Sequence, residues 1–218
     1  MRKILKITVV FLFTFAIVGC GNLNNNAQKK VIEQYFDSLE DGDIEKLDTL
    51  MVKSEDDEFG AMEFLRNIEH MIHAADMYGE GFQEKYEELL IAMRENVIED
   101  YKINDIKIEN GEATISVSGN YVRLENYSIY EIIDSSEVYE ILMNIIEEMG
   151  EDLEFDDYME ALSKIIDEMT EDIFEEWEET LDNLESKEFT AKFTLVETED
   201  NWLIKNVSSE QSLNSFTN

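Results

Sequence analysis

Two histidines and an aspartate stand at a spacing that could bind a metal ion. His70, His73 and Asp76 are three residues apart, so on a helix their side chains would spread over about 120° of arc. Histidine nitrogens and a carboxylate are ligands that Zn²⁺ accepts. The spacing differs from the i, i+4 histidine pair of helical zinc sites, and the sequence offers no identifiable fourth ligand. We therefore expect no metal site and interpret these residues as surface or boundary side chains.

Two acidic runs could suggest calcium loops. They begin at Asp41 and Asp152, with acids at alternate positions. An EF-hand loop needs glycine at its sixth position, where these runs carry Lys46 and Asp157, so both fail the pattern. Loosely bound divalent cations remain an expectation for so acidic a surface.

Four aromatic residues could line an apolar pocket between a helix and a sheet: Tyr35, Phe36, Phe193 and Trp202. Aromatic side chains in such positions either line a ligand pocket or fill a core, and the sequence leaves both readings open. The sequence shows no Ser-His-Asp arrangement and no glycine-rich phosphate loop. We predict no catalytic residue and no cofactor.

The amino-terminal segment has the pattern of an export signal. Arg2, Lys3 and Lys6 precede an apolar run from Ile7 to Val18, which is shorter than the roughly 20 residues of a membrane-spanning helix. The run is followed by Gly19-Cys20, and residues 17–20 (IVGC) resemble the lipobox of bacterial lipoproteins. The resemblance implies that the Cys20 thiol receives a diacylglycerol and that a peptidase cuts before it.

This reading places the protein on the extracytoplasmic face of a cell membrane. Residues 1–19 are then the signal peptide and residues 20–28 a lipidated tether, held by two acyl chains such as palmitate, because one chain alone binds marginally. Cys20 is the only cysteine of the chain. With its sulfur lipidated, we expect neither disulfides nor thiolate chemistry.

The net charge is strongly negative, with 52 acidic and 17 basic residues summing to −35. Such a chain repels nucleic acid and anionic lipid heads. Residues 134–185 concentrate the charge, with 21 acids and one base, Lys164. This block is either a solvated acidic face or a surface for a cationic protein or peptide, or for loosely bound divalent cations.

Apolar residues recur at helical spacing in four segments of the first hundred residues. The pattern predicts helices over about 29–40, 44–51, 61–77 and 82–99. Gly42 is expected to end the first helix, and Asp43 to cap the second. The acidic block predicts two more amphipathic helices, packed on each other as a hairpin over about 134–185.

Alternation with a period of two marks the strands. One hairpin turns at Asn110-Gly111 within residues 101–124, and a second covers about 187–208. Strands that neighbour each other in sequence, preceded by helices, predict an α+β fold in which N-terminal helices pack on an antiparallel sheet. The last residues, 209–218, are polar and are expected to fray.

Two segments resemble the NTF2-like superfamily, whose domains have a cystatin-like α+β fold. They are residues 35–47, which read YFDSLEDGDIEKL, and residues 193–207, which contain FTL and NWLIKNV. The resemblance implies a curved sheet in a domain over 29–208. The acidic helices of residues 134–185 depart from the superfamily's pattern, and we interpret them as an insertion between strands of the sheet. We predict a non-catalytic binding or interaction module of unknown ligand; the alternative that the resemblance implies is an isomerase or dehydratase-type enzyme using a pocket carboxylate.

Overall fold

The fold is α+β, as the sequence predicts. The computed structural model describes residues 25–122, 143–144, 162–163, 165–166, 174, 186–199 and 201–213. Within these residues, four α-helices precede a four-stranded antiparallel sheet. The helices are α1 (Asn26–Asp41), α2 (Ile44–Leu50), α3 (Ala61–Ala75) and α4 (Glu80–Asn96). The strands are β1 (Ile98–Glu109), β2 (Glu112–Val122), β3 (Ser186–Glu197) and β4 (Trp202–Ser209).

The turn between α1 and α2 confirms its two sequence signals. Gly42 adopts the left-handed conformation, with φ of 73°, and its N–H closes the last turn of α1. Asp43 caps α2, since its Oδ1 accepts the N–H of Lys46 at 2.8 Å. Helix α1 begins at Asn26, three residues before the predicted start, and its first turn buries Gln28, a polar residue that the periodicity of apolar residues does not mark.

The first hairpin also follows its sequence signal. Asn110 and Gly111 have φ of 53° and 80°, the positive values that a type I′ turn requires. The register of β1 against β2 shifts at two places, between Ile98 and Asp100 and between Ile103 and Asp105. These β-bulges leave the polar and apolar sides of β1 aligned with those of β2 along the whole strand.

The strands follow sequence order in the sheet, and β2 pairs with β3 along its full length. Val122 lies opposite Ser186, so residues 123–185 leave and rejoin the sheet at the same end. Most of the predicted acidic hairpin lies outside the described residues. The described positions Leu162, Ile166 and Phe174 are helical and buried.

One face of the sheet packs on the helices and the other is polar. Ala113, Ile115 and Val117 of β2 are buried against the core, while their neighbours Thr114 and Ser116 lie on the outer face. On β3, Phe189, Ala191, Phe193 and Leu195 complete the buried face. Helix α1 lies over this face and contributes Ile32, Tyr35, Phe36 and Leu39.

The domain continues past the predicted end of its last strand. β4 extends to Ser209, whose hydroxyl donates to the carbonyl of Thr190 at 2.9 Å. Leu213 is buried, and its N–H donates to the carbonyl of Phe59 at 2.8 Å. The structure thus differs from the expected frayed tail as far as Leu213, because one apolar side chain in a polar sequence is enough to attach the segment.

Candidate functional site

The four aromatic residues singled out by the sequence lie in two places. Tyr35 and Phe36 on α1 are buried with Phe193 of β3, and the Tyr35 ring centroid lies 5.4 Å from that of Phe36 and 5.1 Å from that of Phe193. Trp202 is half-buried at the start of β4. With the amide of Gln28 in the orientation its neighbours require, its oxygen accepts the indole N–H of Trp202 at 3.2 Å. The three buried rings therefore pack on one another between α1 and the sheet.

A carboxylate reaches into this aromatic cluster. The Tyr35 hydroxyl donates to Asp57, 2.9 Å from Oδ1 and 3.0 Å from Oδ2. Asp57 Oδ1 also accepts the N–H of Gly60 at 3.1 Å, and the N–H of Met62 lies 3.5 Å from Oδ2. One side chain thus joins α1 to the first turn of α3, where backbone N–H groups lack helical partners.

The segment that carries Asp57 is held in place by the edge of the sheet. A 3₁₀ turn over Ser54–Asp56 precedes Asp57, which forms a parallel bridge with Val207 of β4. The N–H of Glu58 donates to the Val207 carbonyl at 2.9 Å. Gly60, with φ of 81°, then starts α3. Three elements therefore fix the position of this carboxylate.

The surroundings shift the pKa values of both partners. Burial raises the pKa of the Asp57 carboxyl, while hydrogen bonds from Tyr35 and the start of α3 act in the opposite direction. Burial, and after it the charge of Asp57, raises the pKa of Tyr35 well above its usual value. Tyr35 therefore remains a donor at any physiological pH.

A carboxylate beside a tyrosine hydroxyl is an arrangement that can transfer protons. In this fold the two groups are already bonded to each other and to the backbone of α3. The sequence did not single out Asp57, since it is one of four consecutive acids from Glu55 to Glu58. The available signal was its position three residues before Gly60, where a helix begins.

A small cleft lies between α1, α4 and β1. Its volume is about 30 Å³, room for a few water molecules at most. Arg94 lies along it and donates from Nε to the carbonyl of Glu40 at 2.9 Å. Burial raises the pKa of the Glu40 carboxyl, and the charges of Asp37, Asp41 and Glu95 act in the same direction. Arg94 here stabilises the C-terminal end of α1, where carbonyl groups lack helical donors.

Two open grooves cross the outer face of the sheet, with volumes of about 570 and 400 Å³. Ser116 and Lys192, paired across β2 and β3, line both grooves. Hydroxyl, lysine and carboxylate side chains are among the groups that line them. This surface is polar, so it could hold a ligand mainly through hydrogen bonds.

The histidines lie on the surface. His70 and His73 on α3 and Asp76 just beyond it are all exposed. Within the described part of the chain, no three histidine, cysteine or acidic side chains lie together in a way that could hold a metal ion. Of the two acidic runs, the one from Asp41 contains Asp43, whose side chain caps α2. The run from Asp152 lies outside the described residues.

Cys20 and the predicted export signal lie outside the described residues. Among the helices that the structure does describe, none has the length and apolar character needed to cross a membrane. Comparisons with models of known protein families, with curated proteins and with solved structures found no match for this chain.

Proposed function

We propose that this chain is a lipoprotein, anchored through Cys20 to the extracytoplasmic face of a bacterial membrane, where it acts as a non-catalytic binding module. The observation that carries the proposal is the IVGC sequence of residues 17–20, placed at the end of a short apolar run behind basic residues. Two acyl chains on Cys20 would hold the protein stably, although its charge repels an anionic bilayer.

The anchor is tested by Cys20→Ser in a bacterial host grown with a labelled palmitate analogue. The wild type is expected in the membrane fraction, labelled and cleaved before residue 20. The variant is expected to be unlabelled and to accumulate as the longer, uncleaved chain. A variant that is still cut at the same place and still sediments with membranes would exclude lipidation at this cysteine.

A non-catalytic role is supported by the engagement of Asp57. This carboxylate is tied to Tyr35 and to the start of α3, so its oxygens serve the fold. The net charge of −35 favours a cationic protein or peptide as the partner, with loosely bound divalent cations as the other candidate. Residues 134–185 are the proposed contact surface.

A lysine-rich peptide and Ca²⁺ serve as the two probes for this surface, each measured by titration calorimetry against the full chain. A variant carries amides in place of six acids of the block, and a matched control carries them in place of six exposed acids of the helices. Binding should weaken in the block variant and persist in the control; equal loss in both variants would reduce the effect to net charge. The block positions are Glu171, Asp172, Glu175, Glu176, Glu178 and Glu179, and the control positions are Glu33, Asp37, Glu45, Asp48, Glu69 and Glu84.

We also propose the finer architecture: an NTF2-like domain with a curved sheet and an acidic helical hairpin inserted over about 134–185. The order of helices before an antiparallel sheet supports it, as does the return of the chain at Ser186 opposite Val122. The buried ring of Phe174, 5.4 Å from that of Phe82 on α4, supports an insert that packs on α4. A crystal structure with an extended segment in place of two helices would contradict it.

The second candidate function is an enzyme of the isomerase or dehydratase type, favoured by the Tyr35–Asp57 pair alone. Such an enzyme needs a passage from solvent to the carboxylate. The Tyr35 hydroxyl proton should then exchange rapidly with water in NMR spectra. A slowly exchanging, observable hydroxyl resonance would leave the pair as a structural tie.

A further inference from the structure

The two edges of the sheet differ. Residues 51–58 cover the outer edge of β4. Val52 donates its N–H to the carbonyl of Ile204 at 2.8 Å, and Glu58 donates its N–H to the carbonyl of Val207. The outer edge of β1 has no such partner among the residues that the structure describes. Since β1 is twelve residues long, it offers a row of backbone donors and acceptors that another strand could pair with.

Four charged side chains of β1 lie on the outer face of the sheet. Asp100 and Lys102 pair with Asn120 and Ser118 of β2, on the polar side of the sheet. Asp105 and Lys107 pair with Ser116 and Thr114, on the same side, because the bulge between Ile103 and Asp105 shifts the alternation by one residue. From Asp100 to Lys107 the outer face of this strand therefore carries the order acid, base, acid, base, and Glu109, opposite Glu112, follows at the end of the strand.

We propose that a second copy of this chain pairs with the β1 edge, antiparallel and about a two-fold axis through Ile103, with the bulged Asn104 of each copy left out of the pairing. On either side of Ile103, residue numbers that face each other then sum to 207. Lys102 lies opposite Asp105 of the second copy, and Lys107 lies opposite Asp100 of the second copy. The two-fold axis repeats both pairs, so four oppositely charged pairs line one face of a continuous eight-stranded sheet.

On the buried side of the strand the same register places Tyr101 opposite Ile106 of the second copy. Both side chains are partly buried at the margin of the core. An aromatic residue facing a β-branched one is a favourable cross-strand pair. Both faces of β1 thus complement themselves in one register.

Neighbouring registers are opposed by like charges. The smallest shift that keeps side chains on their own faces is two residues. A shift in one direction places Asp100 opposite Asp105, and in the other it places Lys102 opposite Lys107. Bulges and charges usually protect a free edge from pairing. On β1 they favour one register, in which opposite charges face each other, and disfavour the two registers shifted by two residues.

The carboxylates are positioned for these contacts. Asn120 holds Asp100 on the outer face, with its Nδ2 3.0 Å from Oδ2, and Lys107 lies 3.4 Å from Asp105 within one chain. Lys102 is exposed and forms no ion pair with an acid of the part of its own chain that the structure describes. The pairs are exposed to solvent and two acidic bodies repel each other, so the association is weak and sensitive to salt.

Two charge variants of the full chain test the proposal by analytical ultracentrifugation in a density-matched non-ionic detergent. The acidic variant is Lys102→Glu/Lys107→Glu, and the basic variant is Asp100→Lys/Asp105→Lys. Each alone should dissociate roughly tenfold or more readily than the wild type, because every cross-strand pair becomes repulsive. Mixed in equal amounts they should form a heterodimer, since every pair between the two variants is again opposite in charge.

The control is Lys30→Glu/Lys53→Glu, which changes the net charge as the acidic variant does but lies on exposed positions away from β1. It should dimerise within about threefold of the wild type, apart from the general repulsion that added salt removes. If circular dichroism shows that a charge variant is unfolded, Lys102→Gln/Lys107→Gln replaces it. A wild type that is monomeric at about 200 µM, or variants that fail to form the heterodimer, would overturn the proposal.

Discussion

Replacing Tyr35 with phenylalanine removes the hydroxyl that donates to Asp57 and leaves the aromatic packing intact. The hydroxyl lies 2.9 and 3.0 Å from the two carboxylate oxygens, so one proton serves both. A hydrogen bond to a charged group contributes about 1.5–3 kcal/mol to stability. For a protein of this size, each kcal/mol shifts the melting temperature by about 2–4 °C, so we expect a loss of about 3–12 °C.

The pH dependence of this loss gives a second test. A carboxyl whose pKa is raised by folding holds its proton more tightly in the folded state, so stability falls as pH rises from the unfolded pKa, about 3.9, through the native pKa. The Tyr35 hydrogen bond lowers the pKa of Asp57 toward its ordinary value. Without this hydrogen bond, the free energy of unfolding keeps falling over a wider pH range. The difference in free energy of unfolding between Tyr35→Phe and the wild type should therefore be largest at neutral pH and smallest near pH 3.

The control is Tyr101→Phe. The Tyr101 ring stacks on Phe36 with centroids 4.2 Å apart, and its hydroxyl has no hydrogen bond to the described residues. This change should cost less than about 0.5 kcal/mol. Urea denaturation of both variants at pH 4 and pH 7 measures the difference. A Tyr35→Phe loss no greater than that of the control would refute the structural role assigned to Asp57.

Three further predictions concern the sheet, the insert and high pH. Gly119→Ala should destabilise by about 3 kcal/mol or abolish folding, because a Cβ would meet the backbone of β1; Gly111→Ala, with open space but φ of 80°, should lose only about 1 kcal/mol in the same thermal melt. Phe174→Ala should lower the free energy of unfolding by about 3 kcal/mol in urea denaturation, because it removes a buried ring that packs on Phe82. An unchanged denaturation midpoint would show that the acidic block does not pack on the core. Burial raises the pKa of the Tyr101 hydroxyl to about 12, so the stability that depends on its neutral form should be lost as pH rises from about 10 to 12. Absorbance-monitored titration of the wild type against Tyr101→Phe locates this ionisation.

Local signals predicted the local structure. Gly42, Asp43 and Asn110-Gly111 each have one conformational or capping role that their residue type dictates, and all adopt it. The alternation through Ala113, Ile115 and Val117 predicted the buried face of β2 because a strand has only two faces.

Long-range contacts could not be read in the same way. Gln28 in the first turn of α1 meets Trp202, and Leu213 is attached through a hydrogen bond to Phe59. Of the four neighbouring acids, Asp57 is the one that accepts the hydroxyl of Tyr35, which lies 22 residues earlier. Such choices are made by tertiary packing, which sequence spacing does not encode.

The central claim is that this chain is held to a membrane by lipid on Cys20. Intact-mass spectrometry of the protein purified from the envelope of a bacterial host tests it most directly. We predict a chain that begins at Cys20 and carries the additional mass of two acyl chains on a glyceryl group. A mature chain that begins elsewhere, or that begins at Cys20 with a free thiol, would contradict it.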